Sequence, residues 1–317
     1  MISNIYKNEI PCVRKFAPEN PYFSLNNFCK QKFGEKIARI PLTLHNPCPN
    51  RINGKTGCIF CLPEAYEPPE ELSSGTITEQ INKRINQRGS FYKANKYIAY
   101  LQSGSNTAGN PAELKKAYTE ALNHKDIVAL SISTRPDCFA DEIINIISNL
   151  TKENEIWVEL GVQTAHNKTL DFLNRGHDNA ASLSAIKKLK SAGVQHIVAH
   201  IILGLPGETE NQMKKSIKIF SDAGIDGFKI HHLQIIKNTP LEKMWLNGEI
   251  KLYNFDEYLN LIVNIVETIP RDKVIHRLFG SSNNEYLIAP KWEISKPKIF
   301  SAILNEFKKR NTFQGNR

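Results

Sequence analysis

"NAASLSAIKKLKSAGVQHIVAHIILG", residues 179–204, decides how the rest of the chain is read. Its first half spaces apolar residues at a helical period and stops on Gly193, a residue type that ends helices because it adopts the left-handed conformation. Its second half, "HIVAHIILG" (196–204), is a near-continuous apolar run, the pattern of a strand buried on both faces. A helix feeding directly into such a strand is one unit of parallel α/β structure.

The alternation recurs on both sides. Strands are expected at "RIPLTL" (39–44), "YIAYLQ" (97–102), "IVALSIS" (127–133), "IWVELGV" (156–162) and "GFKIHHLQII" (227–236). Between them lie helices with recognisable starts: "PAELKKAYTEAL" (111–122) has Pro111 in its first turn, and "ADEIINIISNL" (140–150) has Asp141 and Glu142 there. Six such units predict an α/β fold with a parallel sheet, either open and doubly wound or curled into part of a barrel. Residues 39–270 form the core by this reading. Residues 1–38 are an N-terminal extension, and residues 271–317 a C-terminal one holding a strand at "KVIHRLFG" (273–280) and a helix at "KPKIFSAILNEFKKR" (296–310).

The chain has 317 residues, 41% of them hydrophobic, enough for a sizeable core, and a formal charge of +9. A basic balance favours a polyanionic partner such as RNA, although a lysine-rich solvated surface gives the same number. No apolar stretch is long enough to span a bilayer, and the start lacks the apolar region of a secretory signal. A cytoplasmic protein with no membrane partner is therefore expected. Its thiols would be reduced there, leaving Cys12, Cys29 and Cys138 unbridged.

The other three cysteines crowd into "LHNPCPNRINGKTGCIFCLP" (44–63), directly after the first strand. That places Cys48, Cys58 and Cys61 at the carboxyl end of the sheet, where parallel α/β folds put their active sites. Soft thiolates select zinc, copper(I) or iron–sulfur clusters. His45 together with the three cysteines would make a closed Cys3His zinc site. Three cysteines on a 4Fe–4S cluster would instead leave one iron open to a substrate or cofactor. Spacing alone leaves both readings standing.

The loop also resembles the signature of radical S-adenosylmethionine (SAM) enzymes, with Phe60 at the place of their usual aromatic residue. "TRPD" (134–137), "ELGVQTAHNKTLDFLNRGHD" (159–178) and "LGLPGE" (203–208) resemble the radical-SAM domain of the Elongator catalytic subunit. "KIHHLQIIKNTPLEKMW" (229–245), "VIHRLFG" (274–280), "LIAPKW" (287–292) and "KKRNTFQG" (308–315) are similar to bacterial YhcC/YtqA-type proteins. The resemblance covers nearly the whole chain. It implies a partial (β/α)6 TIM-like barrel with short extensions, a 4Fe–4S cluster on Cys48, Cys58 and Cys61, and SAM across the strand ends.

The resemblance implies SAM contacts from Gln102, Ser103 and Gly104 in "LQSGSNTAG" (101–109), from Glu159 and Gln163 toward the ribose, and from Arg175 toward the carboxylate. Gly204 and Gly207 would let bare backbone approach the adenine; read without the resemblance, they mark an ordinary strand-to-helix turn. Lys229, His231 and His276 are candidates to line the substrate cavity, against the ordinary alternative of buried structural side chains. His232, next to His231, should face the other way. Cys138 is a candidate hydrogen donor or, equally, a packed thiol.

The implied reaction is reductive cleavage of SAM to a 5′-deoxyadenosyl radical, with electrons from a flavodoxin- or ferredoxin-type donor. Likeness to Elongator and to tRNA methylthiotransferases implies tRNA as substrate, through the side chain of a wobble uridine. Too few residues follow "RLFG" (277–280) for Elongator's acetyltransferase domain, and no second cysteine cluster serves methylthiolation. A small-metabolite substrate and a zinc-knuckle RNA-binding protein remain the alternatives. Lys83, Arg84 and Arg88, or Lys308, Lys309 and Arg310, would supply phosphate contacts.

Overall fold

The computed structural model describes residues 16–17, 19–66 and 73–317, without the side chains of 88–92, so Cys12 and the Arg88 side chain lie outside the described residues. Helix α1 (Leu25–Phe33) precedes strand β1 (Ile37–Leu42). After the cysteine loop come helix α2 (Ile77–Tyr92), strand β2 (Lys96–Leu101), helix α3 (Pro111–Leu122) and strand β3 (Ile127–Thr134). Helix α4 (Asp141–Leu150), strand β4 (Ile156–Gln163), helices α5 (Asn167–Phe172) and α6 (Asn179–Ser191), strand β5 (His196–Leu203), helix α7 (Glu210–Asp222) and strand β6 (Gly227–His232) continue the series.

Local chemistry sets these boundaries. Asn110 caps α3 through its side chain, with Pro111 at the first helical position. Helix α6 ends as expected at Gly193, whose φ is +80°; the Val194 amide then bonds Leu189 O at 3.1 Å, satisfying a carbonyl the helix leaves over. Thr209 and Gln212 form a reciprocal capping box on α7. Glu208, just outside that helix, instead accepts a 2.5 Å bond from Thr164 Oγ1.

The expected strand at 227–236 is split. Its last two residues, β7 (Ile235–Ile236), leave the main sheet and pair antiparallel with β9 (Leu287–Ala289). Helices α8 (Pro240–Leu246) and α9 (Phe255–Val266) then lead to β8 (Val274–Arg277), which pairs parallel with the start of β6 at Gly227–Lys229. Helix α10 (Lys296–Lys309) closes the series. The sheet thus has seven parallel strands in the order β1-β2-β3-β4-β5-β6-β8, curled into a half-barrel, one strand more than the six units read from the sequence.

The two faces of the sheet differ. Ile40, Leu42, Ala99, Leu130, Val158, Leu160, Ile197 and Phe228 point outward into one continuous core beneath the helices. The concave face carries Arg39, Tyr100, Ser131, Ser133, Glu159, His200 and Lys229 instead. Its amino-terminal end is plugged by Phe23, Phe28, Cys29 and Phe33 from α1 and its approach, packed on Trp157 and Ile98. Phe28 lies edge-on to Phe23 at 5.9 Å, an aromatic arrangement that adds to plain area burial. Truncating a fully buried residue such as Trp157 costs about 3–5 kcal/mol, so the N-terminal extension is part of the barrel's floor. The chain's other end meets it there: Gln314, fully buried, accepts from the Phe23 amide at 2.8 Å and donates to Pro270 O and Lys273 O.

Candidate active site

The cysteine loop leaves the carboxyl end of β1 and is pinned across the sheet to the turn after α5. Asn174 donates to Gly57 O at 2.7 Å, Asn50 donates to Asn174 O at 2.7 Å, and the Ile59 amide bonds Leu173 O. Gly176 has φ +72°, and a Cβ there would lie 2.6 Å from Asn50 Oδ1, so this close approach requires glycine. "TRPD" and "NRGHD" turn out to be the clasp. Arg135 pairs bidentately with Asp137 (2.9 and 2.8 Å) and donates to Arg175 O at 2.7 Å. Arg175 in turn donates to Gly161 O and, through Nη1, to Cys58 Sγ at 3.2 Å.

Cys48, Cys58 and Cys61 line one wall of a chamber of about 270 Å³ at the strand ends. Burial pushes the Cys58 thiol up, but Arg175, Arg135 and the Asn50 amide outweigh that and hold it below its ordinary value. Burial and the neighbouring Cys58 push Cys61 up to about 11. Arg51 also lines the chamber and donates to Cys61 O. His45, the fourth ligand of a Cys3His zinc site, directs its Nε2 to Ser73 O at 3.1 Å. Among the described residues, no three His, Cys, Asp or Glu side chains converge on a single ion.

A 4Fe–4S cluster with SAM beside it fits this wall on charge and on hydrogen bonding. Three thiolates and a SAM carboxylate are anionic, and three guanidinium groups, Arg51, Arg135 and Arg175, stand among them. Arg135 Nη1, Arg175 Nε and Ser103 Oγ are buried and have no hydrogen-bond partner among the described residues. Buried donors of this kind are costly unless something accepts from them.

Gln102, Ser103, Gly104, Gln163 and Phe60 all face the same chamber. Gly104 has φ +76°, and a Cβ there would meet Asn46 O at 2.7 Å. Gln163 stands at an irregularity of the β4–β5 pairing with φ +64°, a strained position for a side-chain-bearing residue. Gly204 and Gly207 line a neighbouring groove with Leu205, Pro206 and Tyr253. A Cβ on Gly204 would meet the Tyr253 ring at 2.8 Å, whereas Gly207 has nothing within 4 Å.

Beneath the cysteines the floor is a buried ionic network. Glu159, 0% exposed, accepts from Arg39 Nη1 at 2.8 Å through one oxygen. Its other oxygen takes Tyr100 at 2.9 Å, His200 at 2.7 Å and Lys229 at 2.8 Å. Burial opposes the Glu159 charge, and Arg39 and Lys229 overcome that, holding its carboxyl well below the usual range. Both Glu159 oxygens are therefore engaged by protein. Burial brings Lys229 down to about 7 despite the facing carboxylate, and brings His200 to about 4.

Lys229 and His231 line the chamber, with His231 stacked 5.7 Å from His200. His276 lies lower, its ring 5.0 Å from that of His196 with Nε2 atoms 2.8 Å apart, and it is sealed from the chamber. The His232 ring turns away from His231 against Tyr258 and Trp292, as strand alternation requires, while the residue still borders the chamber at the end of β6. Cys138 takes a 3.3 Å bond from Ser105 Oγ.

Sequence reasoning missed Arg39, Arg51, Tyr100, Ser133, Arg135 and His200. For Arg39, Tyr100, Ser133 and His200 the signal was a polar residue at alternate positions of an apolar strand, as in Ser131–Ser133; Arg51 and Arg135 lie on loops, where no such signal exists. Of the cations expected to meet phosphate, Lys308 and Lys309 are exposed, and two others are engaged within the fold. Arg84 is 3% exposed, and Arg310 is tied to Glu306, Asn260 and Asn264.

A parallel half-barrel with three cysteines on the loop after its first strand defines a class. The Radical SAM superfamily profile matches residues 46–220, and the Radical SAM C-terminal domain profile matches residues 225–309. The chain belongs to the Radical SAM superfamily and is a radical SAM enzyme. It is similar to the protein YtqA of Bacillus subtilis, 32% identical over 299 residues that cover 94% of this chain and 92% of YtqA. A tRNA uridine(34) acetyltransferase of Methanocaldococcus jannaschii is 35% identical over 155 residues, 48% of this chain and 28% of its own length. The solved structure of archaeal Elp3 from Methanocaldococcus infernus, lacking its N-terminus, shares the fold with a TM-score of 0.66 at 21% identity, covering 88% of this chain and 64% of that one. Among the described residues no helix is long and apolar enough to cross a membrane.

Proposed function

We propose that this enzyme cleaves SAM reductively at a 4Fe–4S cluster held by Cys48, Cys58 and Cys61, and acts on the side chain of a wobble uridine in tRNA. The observation that carries the reading is the shared chamber: three thiols, four guanidinium groups (Arg51, Arg135, Arg175 and Arg277) and the ends of β2 and β4 face one another there. Cys48, Cys58 and Cys61 would hold the cluster, and the chemistry it would supply when reduced is one-electron cleavage of the SAM carbon–sulfur bond. Arg175 and Arg135 offset the negative charge of the thiolates, and the clasp they form fixes the loop. Gln102, Ser103 and Gly104 with Phe60 and Gln163 would receive SAM along the strand ends.

Below them, Tyr100, Lys229 and His231 would meet the substrate. Lys229 Nζ, near its titration point at neutral pH, can hold or release a proton at the chamber floor. The tRNA assignment is supported by the basic balance of the chain and by the likeness to a tRNA uridine(34) acetyltransferase. A flavodoxin- or ferredoxin-type protein is the proposed electron donor.

The test is anaerobic reconstitution followed by chemistry. About four irons with matching sulfide, and 5′-deoxyadenosine released on reduction with SAM, are expected. Release should rise with tRNA from a strain lacking the gene and not with fully modified tRNA. Stoichiometric zinc without sulfide would overturn the cluster; equal release with both tRNAs would overturn the substrate.

A further inference from the structure

A second cleft, of about 440 Å³, lies between the edge of the barrel and the C-terminal segment. It borders the central chamber directly, because His232, Gln234 and Ser281 line both. Its other walls combine two half-buried aromatic side chains, Phe279 and Trp292, with two exposed lysines, Lys291 and Lys296; Glu293 is the one carboxylate among the lining residues. The 14-residue helix α10 opens at this cleft with Ser295 as its N-cap, and the Ser295 side chain makes no capping bond. His232 Nε2 and Ser282 Oγ are buried in its lining with no hydrogen-bond partner among the described residues, and His232 is 7% exposed.

Aromatic faces beside cations, next to free helix amides, are what a nucleotide requires: stacking for the base and positive charge for the phosphate. Neither half alone is informative. Their meeting on the rim of the chamber is, since this rim gives a nucleotide adjoining a base held in that chamber a path outward.

We propose that the Phe279–Trp292 cleft is a subsite for the nucleotide flanking the modified one, with its base against the aromatic side chains and its phosphate at Lys291, Lys296 and the start of α10. The proposal rests on RNA being the substrate. Single-stranded RNA is bound in this way, by stacking platforms along a cationic track. Trp292 is anchored for the purpose, stacked 5.2 Å from Tyr258 with its Nε1 donating to Tyr253 O at 3.3 Å.

The test uses the reconstituted enzyme and a 17-nucleotide anticodon stem-loop RNA, with affinity followed by fluorescence anisotropy from low to moderate salt. Lys291→Glu/Lys296→Glu changes two exposed side chains and should flatten the plot of log affinity against log salt by roughly two units. Phe279→Leu keeps most of the apolar volume, and should weaken binding about tenfold at every salt concentration, leaving the slope alone. Ultraviolet cross-linking should place the RNA on the peptide containing Phe279 or Trp292.

Tight parental binding with both variants unchanged, and cross-links only elsewhere, would overturn the subsite and leave the tRNA reading intact. No parental binding would overturn both. SAM cleavage without RNA should be the same in the lysine variant as in the parent, and its loss would overturn the assignment of these lysines to RNA.

Discussion

Arg175 Nη1 lies 3.2 Å from Cys58 Sγ although 117 positions separate the two residues in the chain. The contact couples the turn after α5 to the cysteine loop and keeps a guanidinium on a thiol that would otherwise resist ionisation in a buried setting. Arg175→Met should therefore lower the iron bound after reconstitution by at least half, with the fold retained by circular dichroism. Arg175→Lys keeps charge without the fork and should fall between. Full iron content in Arg175→Met would show the contact to be incidental.

Alanine at Cys48, Cys58 or Cys61 should each abolish the visible iron–sulfur absorption. Cys29→Ala should not, because Cys29 is packed among Phe23, Phe28 and Trp157 in the floor. Loss of iron in the Cys29 variant would refute the ligand assignment.

Glu159→Gln leaves Arg39 and Lys229 buried without their counter-charge. Breaking a buried ionic group in this way costs roughly 3–5 kcal/mol, which urea denaturation would register as a large drop in midpoint. The Glu159 carboxyl is depressed in the fold, so its contribution is present above the unfolded value near 4.3 and disappears only as pH falls through the lower folded value. A variant as stable as the parent at pH 7 would mean the network carries no net stability.

Histidines dominate at milder acidity. Burial holds His200 to about 4 and His232 and His276 to about 3, so all three are neutral in the fold. Below the unfolded value near 6.5 the unfolded chain takes up protons that the native chain refuses. Stability should fall from pH 6.5 toward 4, by about 1.4 kcal/mol per pH unit for each such histidine. His232→Gln should remove one proton's share of that slope; a denaturation midpoint flat across this range would contradict the assignment.

Gly104→Ala should abolish SAM binding, because its Cβ would strike the Asn46 carbonyl at the chamber wall. Gly207→Ala meets no atom within 4 Å and carries only its left-handed φ of +78°, a cost of roughly 1–2 kcal/mol. Isothermal titration with SAM should separate the two, and equal loss in both would place SAM against the "LGLPGE" turn after all.

The strands and the cysteine loop were legible because both depend on short-range signals: apolar runs bounded by caps, and thiols at the end of the first run. The Glu159 network was not. It arises from the register of neighbouring parallel strands, which sets Tyr100 beside Ser131, Ser133 beside Glu159 and His200 beside Lys229. Those pairs are 26 to 31 positions apart, and nothing local announces them. The same limit explains Arg84 and Arg310, whose charges looked available on the basis of composition alone. One is buried by packing, and the other is held by polar groups on α9. The seventh strand was visible as a strand, but its place beside β6 is a long-range pairing of Gly227–Lys229 with Val274–Arg277 that nothing local announces.

Gln314 joins Phe23, Pro270 and Lys273 beneath the barrel, and it is made after every strand of the sheet. During synthesis the floor consequently stays unlatched until that glutamine has emerged from the ribosome, long after the three cysteines have done so. The nascent chain exposes Cys48, Cys58 and Cys61 before the compartment that shelters them can close.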